Sequence, residues 1–178
     1  FSFLLGFLIG SLLKFSYELS SVRPYSWIDP PTILNCYGPD IDEVQIIKAI
    51  HFWTVLEHKI SFYEHNPSEK ACNSEWLEGF IILRKSELLR EQRTILASTK
   101  RYTSMIKLNG AVISFKPGSQ GLSLLNEHEL GHALGYSHIE ISGHIMHPIY
   151  HTLSFVISNN MPLITSTYYC YCAFRLVN

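Results

Sequence analysis

Apolar and polar positions alternate along this chain in blocks whose period changes, and the changes mark the elements. TILNCY, residues 32–37, is a short and largely apolar run closed by Gly38-Pro39, and it predicts a strand. A helical period follows. Ile46, Ala49, Ile50, Trp53 and Leu56 fall on one face of a helix expected to run to about His58. Asp40 is the expected N-cap, with Glu43 three residues on as in a capping box. KISFYEH (59–65) alternates and predicts a second strand. GFIILRK (79–85) predicts a third, whose FIIL centre marks it for burial on both faces. The charged residues 86–93 read as a helical turn. TILASTKRYT (94–103) reads as a fourth strand with a polar half, and GAVISFKP (110–117) as a fifth. Another helix is expected from about Leu122 to Leu134. The residues between Ser20 and Pro31, and the polar loop containing Asn66-Pro67, read as connections. The early strand–helix–strand order predicts an α/β fold with a sheet that is at least partly parallel.

Composition narrows the classes. A chain of 178 residues has the length of one domain with short appendages. Apolar residues make up 47%, enough for a core, and charged residues 16%, below the usual ~25%. A net charge of −1 gives no bulk attraction to nucleic acid or an anionic membrane, so no nucleic-acid partner is expected. Residues 84–107 do hold seven basic and two acidic side chains, which read as a solvated loop and a lysine-blunted edge strand.

The first thirteen residues, FSFLLGFLIGSLL, are uncharged and carry nine large apolar side chains before Lys14. That run is shorter than the ~20 residues of a membrane span and fits a signal peptide or a signal anchor; a plain buried helix is the alternative. The expectation is an extracellular protein, secreted or anchored, that meets a membrane only through residues 1–20. The cysteines are Cys36, Cys72, Cys170 and Cys172. Cys36 and Cys72 both lie in the folded part, where a bridge between them is open. No C-x-x-C occurs, which argues against a cysteine zinc site or a thioredoxin-like redox site.

Six of the nine histidines fall between His128 and His151. They centre on HELGHALGYSH, residues 128–138. His128 and His132 are four apart, so a helix puts them one turn apart on the same face, where two imidazoles can bind one Zn²⁺. Glu129 then lies beside the metal without joining the ligand set. Gly135 can end the helix in a left-handed conformation, and the chain can turn back to deliver His138. Three protein ligands leave a fourth position open, as in catalytic rather than structural zinc sites. His144, His147 and His151 read as rim residues.

H-E-x-x-H-x-x-G-x-x-H followed by a Met-turn is the metzincin pattern, and this chain resembles it. After His138 comes IEISGHIMHPIY (139–150), with Met146 eight residues beyond the third histidine. The spacing of Gly143, Pro148 and Tyr150 around Met146 is similar to the matrixin, or matrix metalloproteinase, branch. AIHFW (49–53) and ISFYE (60–64) resemble the first helix and second strand of that fold. The resemblance runs from about Trp27 to Tyr150. It implies a five-stranded, mixed, twisted sheet with an active-site helix and a Met-turn. The catalytic domain would span about 24–160, with an irregular tail at 161–178.

The resemblance also implies roles. His128, His132 and His138 would hold one catalytic zinc, with Glu129 the general base. Met146 would floor the metal, and Pro148, Ile149 and Tyr150 would wall the main specificity pocket. The strand at Leu96, Ala97, Ser98 and Thr99 would pair with an extended protein or peptide substrate. The activity implied is zinc-dependent endopeptidase, in a monomer. The alternative is an inactive zinc-binding module of the same fold that binds peptides or surfaces. Ile139 stands where matrixins carry Ser. The His and Asp ligands of that family's structural zinc and calcium loop are absent, so no second zinc is expected and no calcium site is visible. NCYGPD (35–40) is similar to the inhibitory cysteine motif of matrixin propeptides, but it lies inside the expected catalytic domain and is not read as a switch.

Overall fold

A computed structural model describes residues 26–38, 41–105, 107–139 and 144–149. The expected export segment at 1–20, the tail at 161–178, and Asp40, Gly143, Tyr150, His151, Cys170 and Cys172 lie outside these residues.

The chain folds as a mixed α/β structure around one six-stranded, mostly parallel sheet. In chain order the strands are β1 (Ser26–Trp27), β2 (Thr32–Asn35), β3 (Phe62–Glu64), β4 (Phe80–Lys85), β5 (Ala97–Ser104) and β6 (Lys107–Phe115). In space the order is β1-β6-β4-β2-β3, with β5 added along β6. All pairings are parallel except β5 with β6. The sixth strand is β1, which lies in a stretch expected to be connective. Its two residues bridge Lys107 and Leu108 of β6, and Trp27 is held further by an indole N–H donating to the Ala133 carbonyl at 3.0 Å.

The central strands are buried on both faces, as the FIIL run predicts. Ile33, Ile81, Leu83, Ile113 and Phe115 form the large core cluster. Leu34, Ile82 and Val112, one residue out of phase, form the cluster on the opposite face with Trp76, Leu77 and Tyr102 packed on it. A short helix α2 (Glu69–Cys72) lies in the loop beyond β3, and Ser68 caps it by accepting from the Ala71 N–H. Cys72 at its end is bonded to Cys36 just after β2, so the bridge left open by the sequence forms and spans 36 residues. A disulfide closing a loop of that length restricts the unfolded chain by roughly 3–4 kcal/mol. The Cys36 thiol is thereby consumed.

Helix α1 (Glu43–Val55) starts later and ends earlier than its sequence pattern suggested. Its cap is Asp42, not Asp40, because the Asp42 carboxylate accepts from the Val44 N–H at 3.0 Å. Ile41 before the cap and Ile46 inside the helix are buried in one cluster, the arrangement of a hydrophobic staple. At the other end Glu57 takes a left-handed φ of 66°, and the His58 N–H reaches back to the Trp53 carbonyl. That is a Schellman closure, so the chain has turned before His58. Of the expected stripe, Ile46, Ala49 and Trp53 are buried and Ile50 is partly buried. Leu56, just past the last helical residue, is 47% exposed.

Helix α3 (Leu125–Ala133) packs against α1 and β5. Trp53 donates its indole N–H to the Glu127 carbonyl at 2.7 Å, which ties the two helices together. Gly131 lies against Trp53 of α1. A Cβ there would come within 2.5 Å of both the Met146 sulfur and the Trp53 ring. Gly131→Ala therefore meets overpacking of about 1–3 kcal/mol, set against about 1 kcal/mol of gained helix propensity. Net destabilisation is expected from urea midpoints of the purified variant. A stabilised variant would show that Met146 and Trp53 yield freely.

Candidate metal centre

The end of α3 builds the site. Gly135 has a φ of 109°, its N–H bonds the His132 carbonyl, and the Tyr136 N–H bonds the Gly131 carbonyl. This Schellman closure is the left-handed glycine turn the motif predicts, and it brings His138 back beside the helix. The Nε2 atoms then converge: His132 lies 3.0 Å from His128 and 3.1 Å from His138. Among the described residues these three are the only His, Cys, Asp or Glu group able to hold a metal ion together. His128 is buried, His132 half-buried and His138 exposed, so the centre opens to solvent on the His138 side.

Hydrogen bonds on the far side of two rings decide what the near side presents. His128 Nδ1 faces the Ile145 carbonyl at 2.7 Å, and His132 Nδ1 faces the Tyr136 carbonyl at 2.8 Å. A carbonyl only accepts, so each Nδ1 carries the proton and each Nε2 offers a lone pair. Two lone pairs 3.0 Å apart repel unless a cation lies between them. Nitrogens each ~2.0–2.1 Å from a tetrahedral zinc would be about 3.3 Å apart, so the observed spacing fits. Burial, with the charge of His132 next, pushes the His128 pKa well below the usual histidine value. Burial takes His132 down to about 4, against the opposing pull of the Tyr136 carbonyl. Both rings thus stay neutral, the form that binds metal.

His144 and His147 have the opposite polarity. His144 Nδ1 accepts from the Met146 N–H at 3.0 Å, and His147 Nδ1 accepts from the Ile149 N–H at 3.2 Å. Their Nε2 atoms therefore carry the proton, which sets them apart from the converging three.

Glu129 is 1% exposed. Its carboxylate accepts from the Thr99 hydroxyl at 2.6 Å. Burial raises its pKa to about 7, although the Thr99 bond acts against the shift. Thr99 was expected only to offer its backbone to substrate, and its hold on Glu129 could not be read from the sequence. The pairing depends on which residue of β5 reaches α3, a matter of sheet register.

The remaining expected positions are distributed as follows. Met146 is fully buried and packs at Gly131, on the helical turn between His128 and His132. Ile139 N–H donates to the Met146 carbonyl at 3.0 Å, so the segment after His138 is held against the Met146 turn. Pro148 and Ile149 are half-buried. Ala97, Ser98 and Thr99 begin the antiparallel edge strand β5, with Ala97 buried. Leu96 lies just before it. The Leu96 carbonyl accepts from the Lys116 N–H at 2.9 Å and the Ser119 hydroxyl at 2.6 Å. A cleft of about 250 Å³ lined by Thr99, Arg101, His132, Ser137 and His138 opens beside the centre.

The chain matches no protein-family model, and no curated protein matches it.

The buried carboxyl gives a pH test. The Glu129 pKa of about 7 in the folded chain lies above its ordinary 4.5. Between those values the folded chain keeps a proton that the unfolded chain has released, so metal-free stability falls as pH rises through this window. Glu129→Gln removes that titration, while the histidine titrations are common to both proteins. In chelator, its stability relative to wild type should rise by roughly 3 kcal/mol between about pH 4.5 and pH 8. A urea-midpoint difference that is flat across this range would contradict the buried, protonated carboxyl.

Proposed function

We propose that this chain is a zinc-dependent endopeptidase of the metzincin type, most like the matrixin branch. The observation that carries the reading is the convergence of three Nε2 atoms, two with their lone pairs fixed by main-chain carbonyls. The residue after the first ligand is a carboxyl whose pKa is raised to about 7. The sheet order supports it. A mostly parallel sheet that ends in one antiparallel edge strand beside the site suits an extended peptide lying along that edge.

His128, His132 and His138 would hold the ion. When bound, zinc supplies Lewis acidity, polarising a carbonyl and lowering the pKa of water towards ~7. The protein supplies proton handling and placement. Glu129 takes the proton of the attacking water and passes it to the leaving amine nitrogen. A base with a pKa near neutrality can do both, and Thr99 fixes which carboxylate oxygen is engaged. Pro148 and Ile149, with Tyr150, would shape the pocket for one substrate side chain.

The Cys36–Cys72 bond supports an oxidising, extracellular setting, in keeping with the apolar segment at 1–20. No helix among the described residues is long and apolar enough to cross a membrane.

The experiment is a casein or quenched-peptide assay on purified, zinc-loaded protein. Hydrolysis is expected, with loss in a chelator and recovery on adding zinc. Glu129→Gln should bind zinc as wild type does and lose at least ~10²-fold in rate, the usual scale of a general base. Undiminished hydrolysis in that variant would sink the mechanism. A folded, zinc-binding but inactive wild type would instead favour a peptide-binding module.

A further inference from the structure

Strand β5 points alternate side chains to opposite sides, and this sorts its two cations. Lys100 and Tyr102 face away from α3 and meet Glu75 at 2.9 and 3.2 Å. Thr99 and Arg101 face the metal centre. Thr99 bonds Glu129, and Arg101 donates from Nη1 to the Tyr136 carbonyl at 3.3 Å. Several of the basic side chains of residues 84–107 have individual partners. Lys85 and Arg90 pair with Glu87, Lys100 with Glu75, and Lys107 with the Ser26 hydroxyl. Arg101 is the cation of this segment that lines the cleft.

Arg101 is half-buried, and among the described residues no carboxylate pairs with it. Its bond to Tyr136 is long, and that carbonyl already accepts from His132 at 2.8 Å. A guanidinium has five N–H donors in a fork that matches a carboxylate, so most of its capacity remains for something entering the cleft. Its companions in the lining are Thr99, His132, Ser137 and His138, none of them anionic. Two residues along a strand is one same-face step of ~6.8 Å, so Arg101 stands one step from the residue that holds Glu129.

We propose that Arg101 is a specificity-determining residue, and that the cleft selects peptides presenting a carboxylate within a residue or two of the bond held over Glu129. The proposal rests on the peptidase reading for where the peptide lies, but its charge preference is a binding property that needs no turnover. The carboxylate can come from a Glu or Asp side chain or from a free peptide C-terminus, and the test separates these sources.

Blocked alanine-based hexapeptides carrying Glu, Gln or Lys at each position in turn are titrated by calorimetry into the full chain. The metal-free protein is measured beside zinc-loaded Glu129→Gln. A fourth series keeps Gln but leaves the C-terminus free. At one or two positions Glu should bind about tenfold tighter than Gln, and Gln tighter than Lys, with and without metal. If the free C-terminus is the source, the fourth series gains that tenfold and the internal Glu series does not. Arg101→Gln should bring all series within about twofold of one another, and Arg101→Lys should keep only part of the preference. Equal affinity for all series in the wild type overturns the proposal, as does a preference that survives Arg101→Gln. If that variant does not fold, the wild-type order of Glu, Gln, Lys and free C-terminus decides alone. Preference without hydrolysis would overturn only the peptidase reading; hydrolysis without preference would overturn only this one.

Discussion

The centre depends on two hydrogen bonds between imidazoles and main-chain carbonyls. Without the Ile145 and Tyr136 carbonyls behind His128 and His132, either ring could carry its proton on Nε2, and the near side would present a donor. Both carbonyls arrive through backbone events outside α3. Tyr136 comes back because Gly135 turns left-handed, and Ile145 comes alongside because its segment is tied to Ile139 through the Met146 carbonyl. The metal-binding tautomer is therefore a product of tertiary structure, and it is lost if either turn opens.

That arrangement is costly for the fold. Helix α3 buries Asn126, Glu127, His128 and Glu129 in its first half, where a core helix would ordinarily place leucines. Burial raises the pKa of both glutamates and lowers that of both helical histidines, so each is pressed towards its neutral form. Neighbouring elements offset part of this penalty with hydrogen bonds to α3. Trp53 from α1 bonds the Glu127 carbonyl, Trp27 from β1 bonds the Ala133 carbonyl, and Thr99 from β5 bonds Glu129. The apolar sheet carries the stability, and α3 is the element that depends on it.

What the sequence made legible was whatever is local. The H-E-x-x-H spacing, the glycine turn and the return of His138 all lie within eleven residues, and each follows from helix geometry. The double-sided burial of β4 was readable for the same reason, since an unbroken apolar run has no solvent face to offer. Pairings across the sheet were not readable. Thr99 meets Glu129, and Arg101 meets the cleft, only because β5 runs antiparallel to β6 with its particular register. Trp27 lay in a connective stretch whose two-residue strand has too few positions to show a period. The cap of α1 was displaced by two residues because Asp40 and Asp42 are both competent, and only the path of the backbone chooses between them.

The histidine surplus shows how a single residue type is sorted by its backbone surroundings. His128 and His132 face carbonyls with Nδ1, whereas His144 and His147 face N–H groups with the same atom. The first pair carries a lone pair on Nε2 and the second a proton there, though all four have the same side chain. A carbonyl behind the ring makes a ligand, and an amide behind the ring makes a hydrogen-bond donor. The second pair lies on the Met146 turn, close in sequence to Pro148 and Ile149. There a proton on Nε2 is unsuited to a metal. The same cluster of histidines is thus sorted into rings that could hold a cation and rings that could not, and the division is written in main-chain orientation.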